Sequence, residues 1–228
     1  MRKPTVTPGF FHQALTITRR DLLRERRSGE VMWVTLPFGA IALLLVPLAI
    51  GTDAPTLQRI GPGMFWVIVM LFGVLIAIRQ TNAETTAQRD LVALTGLDPA
   101  AIFVGKAVAS FLLLLVFEAV LGVVTIALYD VELIGWVILP VVLVLAAAGL
   151  ALLGTLAAGI VATGRSGAAL VPLLVAPMSV PILLGATQAL DAIRLDRSSI
   201  SWVLMMTIVV LLLAVVGVLS SRPLQETG

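Results

Sequence analysis

The sequence predicts an all-α integral membrane protein with six transmembrane helices, an N-terminal interfacial helix and a cytoplasmic coupling helix between spans 2 and 3. Hydrophobic residues make up 59% of the 228 residues and charged residues 12%, against roughly 45–50% and ~25% in soluble domains. Apolar windows of about 20 residues, the length that crosses a bilayer, lie at about 31–51, 62–79, 103–128, 134–162, 169–190 and 201–219.

Composition excludes several kinds of site. The chain has no cysteine, so disulfides and thiolate metal sites are excluded. Its formal net charge of +2 is too small to indicate a nucleic-acid partner. His12 is the only histidine, and we interpret it as a surface residue, since no second histidine can share a metal. We expect no metal site and no catalytic residue.

The first element is the segment 1–30, a cytoplasmic amphipathic region. Phe11, Ala14, Leu15, Thr18 and Leu22 recur at helical spacing, which predicts one apolar face. Three arginines occupy a different face and are the predicted membrane-surface basic residues, facing anionic headgroups: Arg20, Arg24 and Arg27. The alternative is a generic topology anchor.

The first span is expected to remain uncleaved. Ala49-Ile50-Gly51 weakly resembles a signal-peptide cleavage site. However, a short charged region and 7–15 apolar residues would precede such a site, whereas here about 30 residues precede a run of about 20.

The loop 80–102 reads as a surface helix, a turn and a new helix start. Thr81 and Glu84 have capping-box spacing, and Gly96 suits a helix end. Asp98 then serves as N-cap and Pro99 as the first residue of the third span. A rigid helix here would transmit force from a soluble partner; the alternative is that it rests on lipid headgroups.

Glu118 is the one ionisable residue deep in a span. A charge at that depth costs roughly 2.5–3.5 kcal/mol. We therefore expect Glu118 to make a polar contact at a transport or subunit interface, or to be a protonated carboxyl bonded to a neighbouring helix.

The last three spans carry small residues and prolines. In span 4, Gly154, Ala158 and Ala162 lie four apart, favouring close helix packing within the subunit or in a dimer; this long span either tilts or breaks near Gly149 or Gly154. In span 5, three prolines predict a kink or a discontinuity: Pro172, Pro177 and Pro181. The stretch 191–200 is a candidate for a short interfacial helix, and 220–228 is a tail.

The distribution of Lys and Arg predicts the orientation. Twelve of the fifteen fall in the N-terminal segment, the second loop, the fourth loop and the tail. Because cytoplasmic segments carry the excess, both termini are expected in the cytoplasm of a multi-pass inner-membrane protein.

Three segments resemble the CcmB family, the membrane subunit of the ABC-type haem exporter of bacterial cytochrome c maturation, among the six-span ABC-2-like permeases. They are RRDLLRERRSGEVM (19–32), AETTAQRDLVALTGLDPAAIFVGKAVASFLLLLVFE (83–118) and LVPLLVAPMSVPILLGA (170–186). The likeness covers nearly the whole chain. The stretch 82–87 is milder in charge than the beginning of the family's loop.

The resemblance implies a coupling helix seated in a separate ATPase. Its docking residues would be Glu84, Arg89, Asp90, Leu91, Leu94 and Asp98, with Lys106 at the membrane face. It also implies ATP and Mg²⁺ in two copies of that ATPase, a second copy of this chain, and other cytochrome c maturation membrane subunits, one of which handles haem. No cofactor is expected on this chain, and haem is a candidate substrate.

Other classes of function remain as alternatives. An ABC-2 exporter of lipid, drug or polysaccharide would have the same spans and loop. An intramembrane enzyme would need clustered His, Asp, Glu or Ser at membrane depth, whereas Glu118 stands alone. A membrane scaffold without an ATPase would fit a loop that only rests on lipid.

Overall fold

The computed structural model describes residues 9–51, 53–82, 97–131, 137–163 and 170–226. In these ranges the chain is helical and contains no strand. Six helices are long and apolar enough to cross a membrane, over Trp33–Ile50, Ala54–Arg79, Pro99–Tyr129, Leu139–Val161, Leu170–Arg194 and Ile200–Ser221. The predicted all-α fold with six spans is therefore confirmed.

The chain enters the bundle through two helices joined by a glycine. Helix α1 covers Phe10–Ser28 and ends at Gly29, whose φ of 65° is the left-handed conformation that glycine adopts readily. A π-helix over Glu30–Thr35 precedes α2, Leu36–Ile50. The π-helix, whose turns are wider than those of an α-helix, comes just before Pro37. Pro37 has no N–H to donate to the carbonyl four residues earlier.

Helix α3 covers Ala54–Asn82 and contains Pro62. Asp53 precedes it, accepting hydrogen bonds from the N–H and hydroxyl of Thr56 at 3.2 and 2.6 Å. The expected helix start at Thr81 is wrong, because α3 stays helical to Asn82. No glycine or proline lies between Arg79 and Asn82. Helix α3 therefore continues past the apolar run 62–79.

The remaining spans are continuous helices: α4 over Pro99–Tyr129, α5 over Leu139–Thr163, α6 over Leu170–Arg194 and α7 over Ile200–Glu226. Helix α5 does not break at Gly149 or Gly154, and α6 does not break at Pro177 or Pro181. The expected interfacial helix over 191–200 is also wrong. The backbone finishes α6, turns at Leu195 and Asp196, and enters α7.

Helix α5 forms the centre of the bundle, packing against α3, α4, α6 and α7. Its small residues allow the close approach. A Cβ on Gly154 would lie 2.8 Å from Ala77 Cβ of α3, and one on Gly149 would lie 2.5 Å from Ile182 Cδ1 of α6. At Gly154 the small residue therefore serves packing within the subunit, the first of the two expected uses.

A buried hydrogen bond joins α2 to the far end of α4. The Tyr129 hydroxyl donates to the carbonyl of Leu43 at 2.8 Å, and both residues are fully buried. Pro47 lies inside α2 and has no N–H, so the helix itself leaves the Leu43 carbonyl without its usual donor. The tyrosine supplies the missing hydrogen bond from another span.

Candidate functional site

The candidate site is the junction between α1 and the first turns of α4, next to Asp98 at the end of the predicted coupling segment. The Asp98 N–H donates to Gln13 Oε1 at 2.9 Å. Two turns further along α4, the Thr18 hydroxyl lies 2.9 Å from the carbonyl oxygen of Gly105 and 3.0 Å from that of Ala14. Because both α1 side chains are buried, these bonds are shielded from water.

Close packing reinforces the α1–α4 junction between the two hydrogen bonds. A Cβ on Gly105 would lie 2.7 Å from the Ala14 carbonyl oxygen and 2.8 Å from Ile17 Cβ. Since the first of these atoms is backbone, no side-chain rotation can make room. The close approach of α1 to α4 at this point therefore requires a residue without a side chain at position 105.

The start of α4 has the predicted cap. Asp98 has extended backbone, with φ −65° and ψ 123°, and its Oδ1 accepts a hydrogen bond from the Ala100 N–H at 3.0 Å. Pro99 follows at the first helical position. The prediction of Asp98 as N-cap is confirmed, and the end of the loop is thus fixed by its own side chain and by Gln13.

Replacing Asp98 with Ala is expected to lower the free energy of unfolding by about 1 kcal/mol, because the Ala100 N–H loses its acceptor. Asp98→Asn keeps an oxygen in the same place and should change the stability by only about a few tenths of a kcal/mol. Unfolding of the purified protein in detergent measures both. Equal losses in the two variants would show that the charge of Asp98, rather than its cap, matters.

The exposed surface of α1 has two different flanks. Phe11 and Leu15, expected on the same apolar face as Ala14 and Thr18, are 85% and 68% exposed. The buried face is instead formed by Gln13, Ala14, Ile17 and Thr18. At 100° per residue, the three predicted arginines lie on the side of α1 opposite Phe11 and Leu15, and they are exposed: Arg20, Arg24 and Arg27. Arg20 also pairs with Asp21 at 2.9 Å.

Glu118 lies apart from this junction, in the middle of α4. Its side chain is fully buried, and both carboxyl oxygens lack a hydrogen-bond partner among the residues that the structure describes. The expected hydrogen bond to a neighbouring helix is therefore not found among them. The structure does not bring Glu118 together with Asp98 or the arginines of α1.

Several predicted residues lie outside the described ranges. These are five of the six docking residues, Glu84, Arg89, Asp90, Leu91 and Leu94, together with Gly96 of the expected turn. Only Asp98 of the docking set is described. Within the described ranges, no group of three or more His, Asp and Glu side chains is placed to hold a metal ion.

Sequence reasoning missed Gln13 and Gly105, the two residues that determine how α1 docks. Gln13 is a polar residue near the apolar positions of α1, and a glutamine there usually indicates a solvent-exposed position at the edge of the apolar face. Gly105 lies inside the predicted third span, 103–128, where no role was assigned to it. The available signal was a glycine inside a long apolar helix, which often marks close approach of another helix.

Comparison with known proteins gives a consistent family. Three similar proteins carry the name heme exporter protein B. That of Haemophilus influenzae is 28% identical over 183 residues, covering 80% of this chain and 83% of that protein. That of Rhodobacter capsulatus is 31% identical over 169 residues, 72% and 76% of the two chains. That of Paracoccus denitrificans is 30% identical over 171 residues, 75% and 78%.

The family match extends across the whole bundle. A sequence model described as CcmB protein matches residues 12–222. This range contains the buried face of α1 and all six spanning helices. The chain therefore belongs to the CcmB protein family.

Proposed function

We propose that this chain is the permease subunit of an ABC-type haem exporter for c-type cytochrome maturation, driven by ATP hydrolysis in a separate ATPase. The name of its relatives, heme exporter protein B, supports the haem cargo. The six-span bundle supports the permease role. The ATP and Mg²⁺ would belong to the partner, which would carry out the hydrolysis.

The observation that carries the coupling role is the hydrogen bond from the Asp98 N–H to Gln13 Oε1. The segment 83–97 joins α3 to α4, and Asp98 is where it enters α4. A force on that segment would reach α4 and α1 together, because Gln13, Thr18 and Gly105 hold the two helices in contact. Nucleotide binding would then shift the population of two bundle conformations through its different affinity for each.

Membership of the CcmB family supports the choice of partners. We propose two ATPase copies, a second copy of this chain, and further cytochrome c maturation membrane subunits, one of which handles haem. His12 is the only histidine, and the chain has no cysteine. It therefore cannot supply a bis-histidine or thiolate haem site alone, and we propose that haem is its cargo.

Helix α1 is proposed to lie in the cytoplasmic interface of the inner membrane. Phe11 and Leu15 would enter the acyl region on one flank. On the other flank Arg20, Arg24 and Arg27 would face the aqueous phase and the lipid phosphates, with long side chains that extend along the helix. The excess of Lys and Arg in the segments expected on that side supports a cytoplasmic position for both termini.

Reversing Arg89 to Glu together with Asp90 to Arg should weaken capture of the ATPase by tagged permease by about tenfold or more, since even one close charge pair at an interface contributes about 1.5 kcal/mol. The matched control is the double reversal of Asp196 and Arg197, an exposed pair in the loop before α7. Unchanged capture and ATPase stimulation in the Arg89/Asp90 variant would disprove docking through this loop.

Deletion of the gene tests the cargo. We expect covalent c-type cytochromes to be lost and b-type cytochromes to remain, because only the former need haem on the outer side for attachment. Plasmid-borne wild-type gene should restore them. Normal c-type levels in the deletion strain would remove the haem assignment and leave an ABC-2 exporter of another substrate.

A further inference from the structure

Glu118 occupies the centre of its span. Lys106 and Asp130, the nearest charged residues on either side along the chain, are each 12 residues away, about 18 Å along the helix. The side chain is fully buried. The cost of a charge is greatest at the middle of a span, so Glu118 lies where ionisation is most unfavourable.

No helix packed against α4 offers Glu118 a compensating charge. Helix α4 contacts α1, α2, α3, α5 and α7. Helices α2 and α5 have no charged or histidine residue, and α3 has only Arg59 and Arg79 near its ends. Helix α7 has charges only from position 222 onward, and α1 docks at the Asp98–Gly105 end of α4.

The register of α3 against α4 shows which residues of α3 lie at the level of Glu118. A Cβ on Gly73 would lie 3.5 Å from Leu114 Cδ2, and one on Gly122 would lie 4.0 Å from Phe65 Cε2. The two helices are therefore antiparallel, with Val69 at the level of Glu118. Trp66, one turn away, is also buried, and its indole nitrogen likewise has no partner among the described residues.

A carboxyl group in this position does not stabilise the packed bundle. Glutamine or leucine of similar volume would fill the space without the cost of a buried, unpartnered acid. A neutral carboxylic acid costs far less there than a carboxylate, because the latter would lose all its hydration without gaining a counter-charge. An unsatisfied buried polar group of this kind is rare in native structures and indicates a function other than packing.

We propose that Glu118 is a proton-binding site at the centre of the bundle, occupied while α4 is packed against its neighbouring helices and opened to water when α4 separates from them. In the separated state the carboxyl O–H bond breaks, water accepts the proton, and the carboxylate becomes hydrated. Repacking requires the carboxylate to recover one proton from water. The packed state thus holds one proton more, and raising the pH favours separation.

Infrared spectroscopy of the chain with carboxyl-¹³C glutamate, in nanodiscs of neutral lipid, tests the first half of this proposal. The carbonyl band of one protonated glutamate should be present at about pH 7, where an ordinary glutamate is ionised. The other five glutamates lie outside the central parts of the spans. Glu118→Gln should remove the band. If that variant does not accumulate in the membrane, the presence or absence of the band in the wild-type protein still tests the proposal. Absence of a protonated band at pH 7 would overturn the proposal.

The second half rests on the proposed function, since it uses the partner ATPase to drive separation. In D₂O the carboxyl O–H should exchange slowly in the resting complex, and ATP turnover should accelerate exchange by about tenfold or more, as expected for an opening reaction. If the band is present but the exchange rate of the carboxyl proton does not change during ATP turnover, the proposed opening of the site is wrong. An ATPase that does not bind the chain would instead refute the proposed function and leave the infrared result standing.

Discussion

Gly105→Leu is expected to detach α1 from α4, with a loss of about 3 kcal/mol of stability and a loss of stimulation of the proposed ATPase partner. Even the Cβ would lie 2.7 Å from the Ala14 carbonyl oxygen and 2.8 Å from Ile17 Cβ. The larger leucine would push α1 away and break the hydrogen bond between Thr18 and Gly105. Unfolding in detergent and ATPase stimulation in proteoliposomes measure the two effects.

Gly63→Leu is the matched control for this substitution. Gly63 also lies inside a spanning helix, but a Cβ there would meet nothing within 4 Å. Because leucine has a higher helix propensity than glycine, this variant should be neutral or more stable. Similar losses at both positions would show that the helices tolerate no leucine for general reasons and that the α1–α4 contact is not special.

The fold could be predicted because apolar length alone identifies a spanning helix. The six spans are predicted from apolar runs such as 103–128 and 201–219. Asp98-Pro99 predicts the start of α4, because Asp is a common N-cap residue. Breaks at the prolines of span 5 could not be judged from the sequence. Neighbouring spans decide whether a proline interrupts a transmembrane helix, and α6 continues through Pro177 and Pro181.

The candidate site was less predictable, since it depends on contacts between residues that are far apart in the chain. Periodicity put Phe11, Ala14, Leu15 and Thr18 on one stripe, but it does not say which part of a stripe meets protein and which meets lipid. The structure divides them, burying Ala14 and Thr18 and exposing Phe11 and Leu15. The bond between Gln13 and Asp98 joins positions 85 residues apart, a distance at which no local pattern operates.

The same limit applies at the other end of α4, where sequence reasoning gave Tyr129 and Pro47 no role. Pro47 removes the donor for the Leu43 carbonyl, and the Tyr129 hydroxyl replaces it at 2.8 Å. Gly61 of α3 lies against the tyrosine, since a Cβ there would lie 2.8 Å from Tyr129 Cβ. Three spans therefore meet at one buried hydrogen bond.

Tyr129→Phe should lower the free energy of unfolding by about 1.5 kcal/mol. It keeps the ring but leaves the Leu43 carbonyl without a donor in a region closed to water. Side-chain hydrogen bonds inside membrane bundles average about 0.6 and reach about 1.7 kcal/mol, and complete burial places this one near the upper end. Equilibrium unfolding in mixed micelles measures the difference.

Pro47→Ala provides the decisive comparison, because it returns an N–H to the position that bonds the Leu43 carbonyl in an unbroken helix. In that background the Tyr129 hydroxyl becomes redundant, and Tyr129→Phe should cost less than about 0.5 kcal/mol. The resulting coupling energy of about 1 kcal/mol would belong to the pair. If Tyr129→Phe costs the same with proline or alanine at position 47, the hydroxyl does not substitute for the missing backbone donor. The tyrosine would then stabilise the bundle through its ring alone.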